Sequence, residues 1–171
     1  MTNRKESKAV LRDWLYKLPV THAATVNLKS THRTPEAVQQ VTRRLLFKFN
    51  ERIWGRNTWK RGTGGKQLSV LPIIHAEKDV DDSHIHFAFF GFPENLTEQQ
   101  IQNRFYSAAK HTDGVQFVWQ ERNSADSKSR LAVDFERADS GGAWMNYITR
   151  KLSGSNDENI LYQHMHISSS T

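Results

Sequence analysis

The chain has 171 residues, 37% of them apolar and 11% aromatic, which suits one folded domain and argues against a disordered tail. It carries a formal charge of +6 and a pI near 9.7, which predisposes it toward a polyanion; it has no cysteine, which excludes disulfides and thiolate metal sites. No apolar run is long enough to span a bilayer, and Met1-Thr2-Asn3-Arg4-Lys5-Glu6 leads into no signal core, so the expectation is a cytoplasmic protein without a membrane partner.

A first helix is predicted over about 7–18, where Val10, Leu11, Trp14, Leu15 and Leu18 recur at helical spacing and Pro19 stops the run. Residues 22–28 read as a strand around Thr25 and Val26. Thr34-Pro35-Glu36 opens a long helix, with Thr34 as cap, Pro35 in the first turn and Glu36 at the positive end of the dipole. Its inward stripe is Val38, Val41, Leu45, Phe49 and Ile53. A Gly- and Arg-rich loop spans 56–66. Strands over 68–77 and 84–92, joined by an acidic turn, form an antiparallel hairpin. Thr97-Glu98-Gln99-Gln100 is a capping-box pattern opening a helix with Ile101, Phe105 and Ala108 inward.

Two further strands are predicted over 115–120 and 130–136, and a last helix from Ser140 to Leu152. The tail, 154–171, is polar apart from Ile160, Leu161, Tyr162 and His164-Met165-His166-Ile167. The core order βαββαβ predicts an α+β protein: one antiparallel sheet with helices on one face, as a single domain over 1–171. Gly62-Thr63-Gly64-Gly65-Lys66-Gln67 lacks the phosphate-loop spacing and the hydroxyl residue after lysine, so no nucleotide-driven helicase is encoded.

Two segments carry chemistry. His84-Ile85-His86 lies in a strongly β-forming stretch, so alternation puts both imidazoles on one face, about 6–7 Å apart, where they can converge on a divalent ion. His75 and Glu77 share a face of the preceding strand. A register pairing Glu77 with His84 and His75 with His86 would gather all four, and one of them would complete a three-ligand set open to substrate. His164 and His166 form a competing pair without a comparable apolar strand. In the last predicted helix Trp144, Tyr147, Ile148 and Lys151 share a face, with Arg150 one turn from Tyr147. Neighbouring cations favour phenolate, which suits Tyr147 to nucleophilic phosphoryl transfer. A buried tyrosine on an amphipathic helix is the plainer reading of that spacing.

The histidine pair in an apolar strand, followed by Trp144-Met145-Asn146-Tyr147-Ile148-Thr149-Arg150-Lys151, resembles the HUH endonuclease superfamily, most of all the rolling-circle replication initiators of plasmids, phages and single-stranded DNA viruses. Ala24-Thr25-Val26-Asn27-Leu28 loosely matches the first of that family's three motifs, and the likeness extends over about 11–152. It implies a ferredoxin/RRM-like HUH fold with a central antiparallel sheet of about five strands. It also implies metal-assisted nicking and joining of single-stranded DNA at an origin hairpin or nick site. Tyr147 would be the nucleophile, giving a 5′-phosphotyrosine intermediate and a free 3′ hydroxyl.

Arg150 stands where the family often has lysine, and Lys151 follows it. The implied metal is Mg²⁺ or Mn²⁺ on His84, His86 and a third ligand, His75 or Glu77, with His75 preferred. Host replication proteins are implied as further partners. Lys29, Arg33, Arg43, Arg56, Arg61 and Lys66 are candidate phosphate contacts, and Trp54 and Trp59 candidate stacking residues, although Trp54 suits burial better. The alternatives are a single-tyrosine transposase of the same superfamily and a non-catalytic RRM-like module displaying Phe87 and Phe89.

Overall fold

The computed structural model describes residue 10 and residues 13–56, 66–75, 84–119, 130–138, 144 and 160–167. Strand β1 (His22–Asn27) precedes helix α1 (Pro35–Trp54); strands β2 (Ser69–His75) and β3 (His84–Phe90) follow, then helix α2 (Glu98–Lys110). Three strands close the described order: β4 (Val118–Trp119), β5 (Arg130–Leu131) and β6 (Val133–Arg137). The main sheet is antiparallel in the order β2-β3-β1-β6, and β4 and β5 pair separately. The architecture is therefore α+β with helices packed on a four-stranded sheet, where about five strands were expected.

The helices form where capping chemistry and periodicity agree. Thr34 Oγ1 accepts from the Ala37 N–H, and the α1 stripe of Val38, Val41, Leu45, Phe49 and Ile53 is buried. Gly55, at φ 82°, ends α1 and donates its N–H to the Glu51 carbonyl; Arg104 reaches across from α2 to the Arg52 and Ile53 carbonyls. The capping box of α2 is complete: Gln100 N–H donates to Thr97 Oγ1, and Thr97 N–H to Gln100 Oε1. Both helices cover the sheet face bearing Val26, Val70, Ile85, Phe87 and Phe89. There Phe49, Phe89, Phe105 and Phe135 stack edge to face and obliquely, with ring centroids from 4.7 to 6.1 Å apart. Each such ring, fully buried, contributes on the order of 2–3 kcal/mol.

The opposite sheet face is partly covered too, which explains why β2 and β3 read as near-continuous apolar runs. Leu15, Leu71, Ile73, Ala88 and Ile160 are buried there, with Leu18, Val20, Trp144 and Met165 packed against them. Residues 13–16 are helical and Leu15 is fully buried as expected, but Val10 and Trp14 face solvent.

Two other expectations change. The hairpin register is His75↔His84 and Ile73↔His86, two residues away from the pairing His75 with His86. The strand expected over 130–136 breaks at Ala132, whose N–H donates to the Phe117 carbonyl while its own carbonyl accepts from Asn27. One residue thus serves two sheets and splits the strand. The described part of the tail, 160–167, also ladders onto β2: His166 exchanges both backbone hydrogen bonds with Val70, and Leu161 N–H donates to the Pro72 carbonyl. Pro72 has no N–H to return, and the tail departs from the ladder through a 3-10 turn, Tyr162–His164, before rejoining it.

Candidate metal centre

Strand alternation and the observed register put His75, His84 and Asn27 in one cross-strand row of the sheet face away from α1 and α2. Ile73, His86, Thr25 and Asp134 form the next row. His75 and His84 are therefore direct cross-strand neighbours, and His86 lies diagonal to His75. The three rings meet edge to face, with centroids 5.4 Å apart for His75–His84, 4.4 Å for His75–His86 and 4.7 Å for His84–His86. One ligating nitrogen from each falls within 4.8 Å of the others, and this is the only such group of three among the described residues. Two nitrogens bound to one ion at about 2.1 Å lie roughly 3.4 Å apart in a tetrahedral site and at most about 4.2 Å apart in any geometry, so the trio is within modest side-chain adjustment of a binding arrangement.

Burial differs across the trio and sets the protonation of His86. His75 and His86 are 2% and 3% exposed, while His84 is half-buried and forms the open side. Burial, followed by the neighbouring His75 and His84, lowers the His86 pKa from 6.5 to about 3. Its imidazole is consequently neutral near pH 7, the form that binds metal. Thr25 Oγ1 lies 2.9 Å from His86 Nδ1; an Nδ1–H donating to that hydroxyl leaves the lone pair on Nε2. Thr25 was read as the centre of a strand and as part of the loosely matching first motif, without a partner assigned to it. The signal that assigns it this place is its cross-strand pairing with His86, which alternation alone does not reveal.

Trp144 stands beside the cluster. Its backbone is helical and its ring centroid is 6.2 Å from that of His86, edge to face. Tyr147, Arg150, Lys151 and Glu77 lie outside the described residues, as do Arg61 and Trp59. His164 and His166 are half-buried at the β2 edge and do not join the trio. His22, the histidine of β1, faces the helices and lies 3.1 Å from Glu98 through Nε2. Phe87 and Phe89 are fully buried on that helix side. Of the cations proposed for phosphate, Lys29 pairs with Asp113 and Arg56 with Glu51, whereas Lys66 sits 5.6 Å from the centroid of the half-buried Trp54 ring. No helix among the described residues is long and apolar enough to cross a membrane.

Comparison with protein-family models, curated proteins and solved structures finds no match.

Proposed function

We propose that this chain is a metal-dependent DNA nickase of the HUH type, with a ferredoxin/RRM-like fold, acting on single-stranded DNA at a replication origin. The observation that carries this reading is the trio of His75, His84 and His86, two of them buried, with the Trp144 ring against His86. The predicted helix from Ser140 to Leu152 includes Trp144, and on such a helix Tyr147, three residues later, would share its face. Continued from Trp144 as the spacing predicts, that helix would carry the Tyr147 phenol toward the histidines.

The donor set fits a divalent transition ion. Three imidazole donors suit Mn²⁺ better than the harder Mg²⁺, and Co²⁺, Ni²⁺ and Zn²⁺ better still. His75 is the third ligand in this reading. An ion held there supplies Lewis-acid polarisation of a phosphate oxygen. Thr25 orients His86, and the exposed edge of His84 admits substrate. Tyr147 oxygen forms the bond to phosphorus as the bond to the 3′ oxygen breaks. The phenol proton is released, and the departing oxygen takes up a proton to become a 3′ hydroxyl. Arg150 and Lys151 stabilise the phenolate before attack. Rejoining is the same exchange in reverse. The RRM-like alternative has lost its stacking surface, because Phe87 and Phe89 lie under the helices.

The test is denaturing electrophoresis of the protein with labelled single-stranded DNA and Mn²⁺. A covalent band is expected from the wild type and none from Tyr147→Phe, with DNA binding retained. An adduct that persists in Tyr147→Phe removes Tyr147 as nucleophile.

A further inference from the structure

Away from the histidine trio, across the sheet, the outer face of α1 carries a cationic cleft. Gln40, Arg43, Arg44, Phe47 and Lys48 line a cavity of about 530 Å³. A second cavity, about 380 Å³, adjoins it through Arg43 and Phe47 and is walled by the tail residues Gln163 to His166. Together they form a trough between α1 and the tail that is pinned to the β2 edge by the Val70–His166 hydrogen bonds. Their volumes lie in the range of ligand-binding clefts.

Three features say what the trough takes. The side chains of Arg43 and Arg44 are exposed, and no carboxylate pairs with either among the described residues, whose ion pairs gather elsewhere at Asp113, Glu51 and Glu98. Phe47 is 44% exposed and lines both cavities, so part of its ring faces the trough. His164 is held below its ordinary pKa by burial and by Arg43, so near neutral pH the positive charge comes from the arginines and Lys48. Lys48 also donates to the His111 carbonyl, which ties the end of α2 to the trough.

We infer that this trough is a second nucleic-acid site, in which Arg43 and Arg44 hold phosphates of a single strand and Phe47 stacks on a base. Cations alone would accept any polyanion; an aromatic face set among them selects a strand whose bases are unpaired. The site is separate from the metal centre, which lies on the other face of the sheet. A strand engaged at both has to pass around an edge of the sheet.

The test is fluorescence anisotropy of the full chain with a labelled oligothymidylate of about 16 nucleotides, with chelator present and salt varied. Arg43→Ala combined with Arg44→Ala should weaken binding tenfold or more and flatten the salt slope by about 1.4, two phosphates at about 0.7 each. Phe47→Ala should weaken binding about tenfold with the slope unchanged. Lys110→Ala combined with Arg137→Ala removes the same charge from other exposed positions and should change affinity less than twofold. Wild-type affinity and slope in the arginine variant, or an equal loss in the control, overturns the site. Unchanged binding in Phe47→Ala, or preference for a duplex of the same length, overturns the single-strand assignment. No covalent step enters these measurements, so the nickase reading can fail while this one stands.

Discussion

His86 is buried between His75 and His84, with Nδ1 against Thr25, and its pKa is lowered to about 3. Two predictions belong at this scale. Thr25→Val removes the hydroxyl while keeping the branched shape of the strand residue, so the sheet should persist while Mn²⁺ affinity by calorimetry falls about 10- to 100-fold. An unchanged affinity would mean that Thr25 does not orient the ligand.

The second concerns acid. The folded protein holds His86 neutral down to about 3, whereas the unfolded chain protonates it near 6.5. Between those values the unfolded state binds more protons, so this group's contribution is complete above 6.5 and is lost as pH falls toward 3. The loss is at most about 1.4 kcal/mol per pH unit, and His86→Phe should flatten that part of a urea-denaturation profile. The same steep loss in His86→Phe would assign the acid sensitivity elsewhere. At this scale the sequence was informative wherever alternation decides. It put His84 and His86 on one face and His75 on a strand beside them. It could not supply Thr25 as a partner, because which residue lies across a strand depends on register.

Among the elements, the helices were the most legible. Thr34, Pro35 and the capping box at Thr97 mark starts by local chemistry, and the stripes Val38 to Ile53 and Ile101 to Ala108 are buried as their spacing predicts. Strands were legible in place but not in pairing: the β2–β3 register lies two residues from the one that joined His75 to His86, yet a shift of two keeps every side chain on its face. That parity is why His75 still reaches the cluster. The break at Ala132 and the laddered tail were illegible because both depend on backbone partners far along the chain.

Asn50 fixes where β2 begins. Its Oδ1 accepts from the Leu68 N–H at 2.8 Å, and its Nδ2 donates to the Leu46 carbonyl at 2.9 Å, with the side chain 1% exposed. Asn50→Leu strands that buried N–H and should cost about 1–3 kcal/mol in chemical denaturation, with faster hydrogen exchange at Leu68. A variant as stable as the wild type would mean that water or relaxation satisfies the donor.

For the molecule as a whole, the sheet separates two chemistries. One face holds the imidazole trio among Leu15, Ile73, Ile160 and Trp144; the other packs the phenylalanine core, with the cationic trough on the outer side of α1. A charge of +6 predisposes the chain toward a polyanion, but only the tertiary arrangement gathers Arg43, Arg44 and Phe47 with the tail into one trough. The metal reading orders ion affinities measured by calorimetry: Mg²⁺ weakest, then Mn²⁺, Co²⁺ and Ni²⁺; Mg²⁺ binding as tightly as Ni²⁺ would contradict an imidazole site.

Crystals soaked in Mn²⁺ and measured for anomalous scattering test the central claim most directly. The account predicts one strong peak bonded to nitrogens of His75, His84 and His86, with the Tyr147 hydroxyl turned toward it. A peak elsewhere, or the Tyr147 hydroxyl on the far side of the sheet from an occupied trio, would contradict it.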